Sequence, residues 1–139
     1  MNKLCIIDGQ GGGIGAFIIK KLRETCDESL ELIALGTNAI ATAQMLKAKA
    51  NRGASGENAI VQTVAQAELI IGPLGIVMAN AMMGEVTPKM AKAIASSPAK
   101  KILLPLLQEN VVIVGTTAIP LPHLLDELIE KHLLDCKRK

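Results

Sequence analysis

Hydrophobic positions along the chain follow two alternating rhythms. Short, near-continuous apolar runs read as strands: Lys3 to Asp8 (KLCIID), Leu30 to Leu35 (LELIAL), Glu68 to Ile71, Lys101 to Leu104 and Val111 to Val114. Between them lie longer stretches with helical spacing. From about Ile14 to Thr25, Phe17, Ile18 and Leu22 share one face, while Lys20, Lys21 and Arg23 lie mostly on the other. Thr37 or Asn38 caps a second helix reaching about Lys49, because a short side-chain oxygen accepts the orphan amides of a first turn. The stretch 51–56 (NRGASG) reads as a glycine-bearing loop before a helix of roughly Glu57 to Gln66. Gly75 to Met83 reads as helical and apolar nearly all round. Thr87-Pro88 opens the next helix, Pro88 suiting a first-turn position that needs no amide hydrogen. A last helix from about Leu121 to Cys136 carries a leucine-rich stripe with His132 at its edge.

Strands alternating with helices predict an α/β fold: three layers around a mostly parallel five-stranded sheet, with crossover helices on its faces. The chain's 139 residues suit one such domain over 1–139, with little left for a separate substrate domain.

Composition narrows the chemistry. Half the residues are hydrophobic, yet Phe17 is the only aromatic. Without Tyr or Trp there is no tyrosine acid or base and no platform on which nucleobases stack. A net charge of +2 is too near neutrality for electrostatic nucleic-acid binding. The one basic cluster is the tail Lys137, Arg138 and Lys139, read as solvating a frayed terminus. Cys5, Cys26 and Cys136 show no paired or zinc-type spacing, so all three read as structural in a reduced protein, with no metal site. The longest charge-free stretch, Leu69 to Gly84, is broken by glycines and Pro73 and is shorter than the ~20 residues of a membrane helix. With no signal-peptide order at the N-terminus, a soluble cytoplasmic protein is expected.

The strongest local signal is Asp8-Gly9-Gln10-Gly11-Gly12-Gly13-Ile14-Gly15, directly between a strand and a helix. Glycines let a backbone turn tightly and approach a ligand, and a helix N-terminus offers free amides and the positive end of its dipole. Gly9, Gly13 and Gly15 match the glycine spacing of short-chain dehydrogenases, although the tyrosine of those enzymes is missing. After the second strand, where dinucleotide sites place an acid on the ribose, the chain reads Gly36-Thr37-Asn38, so uncharged Thr37 and Asn38 are expected to approach the sugar while the amides of Gly11 to Gly15 hold the phosphate. Asp8 at the strand end opposes a phosphate unless a cation or the loop amides neutralise it. A glycine turn needed only for close strand–helix packing is the plainer alternative.

Ligands in parallel sheets bind at the carboxyl ends of the strands, which adds Gly72, Pro73, Thr116 and Thr117 to the expected rim. Asp8 and Glu85 are the candidates for a catalytic base or cation ligand; His123 is a further one.

IDGQGGGIG, with GASGENAI, GPLGIVMANAMMGEVTP and KKILLPL downstream, resembles an uncharacterised bacterial family of short, single-domain Rossmann-like proteins. The resemblance spans nearly the whole chain. It implies that these motifs form one unit and points to Asp8 to Gly15, Gly53 to Asn58 and Gly72 to Glu85.

The expected function is binding of a nucleotide or other small phosphorylated molecule, with a dinucleotide such as NAD(P) among the cofactors to test. The alternative is a non-enzymatic subunit or regulatory module using the apolar 74–83 segment as an interface. In either case a homo-oligomer is expected, with neither nucleic acid nor membrane as partner.

Overall fold

The computed structural model describes residues 3–106, 110–133 and 136. The basic tail and positions 134 and 135 of the expected last helix lie outside the described residues. Five parallel strands form one sheet in the order β3-β2-β1-β4-β5: β1 (Lys3–Asp8), β2 (Glu31–Gly36), β3 (Arg52–Ser55), β4 (Leu69–Pro73) and β5 (Lys100–Leu104). Period-two alternation divides β1 between two cores. Leu4 and Ile6 join the core formed with α1 (Gly13–Thr25), α2 (Ala39–Lys47) and α5 (Leu121–Glu127). Cys5 and Ile7 join the opposite core, with α3 (Glu57–Val64) and α4 (Pro88–Ser96). This is a three-layer, Rossmann-like α/β fold, and its sheet is wholly parallel.

The sequence placed β1, α1, β2 and β5 within a residue or two. It also located both helix starts, leaving the first cap between Thr37 and Asn38. Asn38 accepts the Ala41 amide at 2.8 Å, and Thr87 accepts the Met90 amide at 3.1 Å. Four expectations are corrected. The loop at 51–56 contains β3, an edge strand whose register runs from Ile33↔Arg52 to Gly36↔Ser55. Its residues are polar and mostly exposed, so it carries no hydrophobic signal. Val111 to Val114 is no strand; it lies exposed, with Val114 94% accessible. Its apolar run matches a central strand, but the segment has no ladder partner among the described residues. Gly75 to Met83 is not one helix. A single 3-10 turn (Leu74–Val77) gives way to tight turns in which Asn80, Met82 and Met83 are left-handed, which no right-handed helix accommodates. Asn80 is exposed there. The last helix is shorter than expected, α5 continuing into a π-type turn at Leu128–His132.

The cysteines also depart from expectation. Cys26, after α1, forms a disulfide with Cys136, their Cα atoms 5.9 Å apart. The bridge spans a separation of 110 residues, which no local motif reveals, and it corrects the reduced reading. Cys5 remains a free, buried thiol, pushed up to about 11 by burial despite the opposing pull of Lys3 and Arg52. Thiol titration in denaturant is therefore expected to count one thiol without reductant and three with it. Three in both conditions would contradict the bridge.

No helix among the described residues is long and apolar enough to cross a membrane.

Candidate functional site: a glycine-lined cleft at the switch point

From β1 the chain runs outward through β2 and β3, then returns to place β4 on the other side of β1. The carboxyl ends of β1 and β4 therefore splay helices to opposite faces and leave a crevice, the usual ligand position in open parallel sheets. A cleft of about 460 Å³ sits there. The loop from Asp8 to Ile14 forms one wall, and Pro73, Gly75, Met82 and Leu106 close the other.

The five loop glycines divide into two kinds. Gly9, Gly12 and Gly15 are required by packing. A Cβ on Gly9 would sit 2.5 Å from Thr37 Oγ1 and 2.6 Å from Met82 Sδ. Gly12 is left-handed (φ +74°), and its Cβ would lie 2.7 Å from the Ala41 Cα of α2. One on Gly15 would meet Met45 Sδ at 2.5 Å. Gly11 and Gly13 have no such reason to be glycine: neither is left-handed, and a Cβ on either meets nothing within 4 Å. Both are exposed and line the cleft, and their amides have no partner among the described residues.

Asp8 is buried beneath this loop and serves it from below. Its Oδ1 accepts the Gly9 amide at 2.8 Å and its Oδ2 the Gly15 amide at 2.6 Å, with the Ile14 amide also directed at the carboxylate. Burial pushes the carboxyl above its ordinary value. The amides of Gly15, Gly9 and Ile14 draw it back only in part, and the neighbouring Glu85 charge adds to the rise. Asp8 is thus an internal cap for α1, and its charge is directed into the loop's own amides. The Gly12 amide is also occupied, donating to the Gly9 carbonyl at 2.9 Å. Of the expected phosphate-holding run from Gly11 to Gly15, the amides of Gly11 and Gly13 remain open.

Glu85 reaches the other end of the loop from the β4–α4 connection. Its Oε1 accepts the Gln10 amide at 2.8 Å, Thr37 Oγ1 at 2.7 Å and Asn38 Nδ2 at 2.8 Å. Partial burial pushes the carboxyl up, but these three hydrogen bonds together outweigh it and hold the group below the usual glutamate value of 4.5. A depressed pKa contributes stability above the unfolded value, lost as pH falls through the folded one. The stability gap between wild type and Glu85→Gln, measured by thermal unfolding, is expected to be present at about pH 7 and to narrow as the pH falls below the ordinary glutamate value of 4.5. A gap that widens on acidification would contradict this assignment.

Thr37 and Asn38 thus hold Glu85, and Asn38 Nδ2 also reaches the Gln10 carbonyl at 3.0 Å. Gly72 lies within β4, where a Cβ would run into the Ile7 carbonyl oxygen; Pro73 alone of that pair lines the cleft. Thr116 and Thr117 are not brought to the cleft. They sit in the exposed segment after β5, Thr116 Oγ1 donating to the Ile113 carbonyl at 2.7 Å. They were expected on the rim only because Val111 to Val114 read as a strand ending there. His123 is exposed in the first turn of α5, its amide bonded to the Pro120 carbonyl. Met82 and Leu106 were not singled out as site residues, because an apolar side chain gives no chemical signal in sequence.

A family model described as a domain of unknown function (DUF3842) matches residues 3–137. The chain belongs to the DUF3842 family. No curated protein and no solved structure gives a significant match to it. The family match covers every strand and helix around the cleft, so in this DUF3842 chain the glycine loop and the Glu85 turn lie within a single family unit.

Proposed function

We propose that this DUF3842 protein binds a nucleotide or other small phosphorylated molecule in the switch-point cleft, the amides of Gly11 and Gly13 holding its phosphate. The observation carrying this reading is the pair of glycines that packing does not require. Each costs backbone entropy on folding, roughly 0.5–1 kcal/mol relative to alanine within regular structure, with no contact in return. Their absent side chains leave two unpartnered backbone donors in the cleft lining at the start of α1, where the helix dipole favours an anion. The Asp8 carboxylate lies buried beneath the loop and is engaged by the Gly9 and Gly15 amides, so it does not compete for the open amides of Gly11 and Gly13. A base or nicotinamide ring would rest on Ile14, Met82 and Leu106, in keeping with a cleft that has no aromatic wall.

Titration calorimetry with NAD, NADP, ATP, GTP and FMN, each with and without magnesium, tests the reading. Saturable binding by at least one of them is expected. Heats indistinguishable from dilution across the whole panel would overturn it.

The alternative use of the 74–83 segment as an interface has less surface to work with. Ile76 and Ala81 are buried in the α3–α4 core and Val77, Met78 and Met82 pack against it, leaving Met83 as the large exposed side chain. Light scattering at micromolar concentration separates self-association from a monomer.

A further inference from the structure

Dinucleotide-binding sheets hold the ribose hydroxyls with an acid at the end of the second strand, and this chain has none there. A carboxylate nevertheless occupies that place. Asp8 of β1 is in register with Gly36 of β2, and the Thr37 amide donates to the Asp8 carbonyl at 3.0 Å, so the ends of β1 and β2 are locked side by side. Glu85 is delivered into this junction from a different part of the chain and fixed through Oε1 by Gln10, Thr37 and Asn38. All three bonds fall on one oxygen. Glu85 Oε2 has no hydrogen-bond partner among the described residues, and no described buried side-chain oxygen lacks one, so Oε2 is open to solvent.

The turn that delivers Glu85 is costly and closed. Met82 and Met83 are both left-handed with φ of 57°, a conformation that side chains of this kind avoid, and Asn80 precedes them at 68°, which asparagine tolerates. Bonds from the Asn80 amide to the Val86 carbonyl (2.7 Å) and from the Gly84 amide to the Asn80 carbonyl (3.1 Å) hold it rigid. A dipole-complementing acid before α4 needs no such construction. Strained backbone that ends in a pinned carboxylate with one open oxygen is how a fixed hydrogen-bond acceptor is built.

We infer that Glu85 supplies the missing ribose-binding acid, so that the cleft takes a ribonucleotide with a free 2′,3′-diol and rejects one carrying a 2′-phosphate. This rests on the phosphate-binding reading above and names the class of ligand it serves. The sugar hydroxyls donate to Glu85 Oε2 while the phosphate lies on Gly11 and Gly13. Gln10, which holds Glu85, is at most three residues from Gly13, ~10 Å of extended chain and within the reach of a ribose 5′-phosphate. A 2′-phosphate would instead face the ionised Glu85, and like charges at this range repel.

The test compares ADP, GDP and UDP with their 2′-deoxy counterparts, and NAD with NADP, by calorimetry on wild type and Glu85→Ala. The chain should prefer at least one ribonucleotide over its 2′-deoxy form by about tenfold or more, the usual scale for a hydrogen bond to a charged group. NAD should bind more tightly than NADP. Glu85→Ala, checked for folding by circular dichroism, should bring both ratios close to one. Equal wild-type affinity for ribo and deoxy forms overturns the diol assignment and leaves the phosphate reading standing. A preference that persists unchanged in Glu85→Ala likewise overturns the role of this residue. Binding of none of these ligands overturns both.

Discussion

Replacing Asp8 by alanine is expected to lower the unfolding free energy by about 3 kcal/mol, measured by urea titration at neutral pH. The carboxylate is buried and accepts the amides of Gly9 and Gly15 directly, with Ile14 also directed at it. Removing it leaves those donors unpaired beneath the loop, and each buried donor without a partner costs on the order of 1–3 kcal/mol. Relief from burying a charge offsets part of that loss. Asp8→Asn should therefore fall between wild type and alanine, because one oxygen still accepts while the new amino group confronts a backbone donor. The pH dependence has the opposite sign to that of Glu85. Burial raises the Asp8 pKa above its unfolded value, so the native state binds the proton more tightly and the group's contribution grows on acidification. The advantage of wild type over Asp8→Asn should accordingly widen between about pH 7 and about pH 4. An alanine variant as stable as wild type would show that Asp8 does not cap α1.

Two neighbouring glycines are expected to give opposite results when each is changed to valine. Gly12→Val adds a branched side chain at a left-handed position, where an L-residue pays roughly 1–2 kcal/mol. It also drives Cβ into the backbone of Ala41, which the cap at Asn38 and the buried Met45 hold in place. Overpacking of that kind adds roughly 1–3 kcal/mol, for a total of about 3 kcal/mol or more. Gly13→Val meets no atom within 4 Å and has an ordinary φ, so its melting temperature should stay within about 2 °C of wild type. Its side chain would, however, cover the amide face of the cleft, and affinity for whichever nucleotide binds should drop by about tenfold or more. If Gly13→Val unfolds the protein, or folds and binds as wild type does, the division of the loop into structural and ligand-facing glycines fails.

Much of this architecture is visible in the order of residues, because it rests on local physics. β1 is an unbroken apolar run, the α1 stripe repeats at helical spacing, and Asn38 and Thr87-Pro88 are cap signals whose chemistry acts within one turn. The failures occur where tertiary context decides. β3 is a strand because β2 offers it a ladder, not because RGAS has strand character. Val111 to Val114 has that character in full and finds no described partner. The Cys26–Cys136 bridge joins opposite ends of the chain.

The candidate site divides in the same way. The glycine loop and its place after β1 follow from Asp8 to Gly15, but a run of five glycines does not say which of them packing demands. That distinction needs Ala41, Met45 and Thr37 brought beside the loop by the fold. Glu85 was visible as an acid after a glycine, and its arrival at the end of β2 was not. The one available hint was complementary: an acid missing after β2, and an isolated one directly after Gly84.

The central claim is that the amides of Gly11 and Gly13 hold a ligand's phosphate. Amide chemical shifts of the nitrogen-15-labelled protein, followed through titrations with ADP and NAD, test it most directly. The Gly11 and Gly13 resonances should move in a saturable way and further than that of Gly53 in the edge strand β3. Shifts confined to other regions, or none in the loop at saturating ligand, would contradict it.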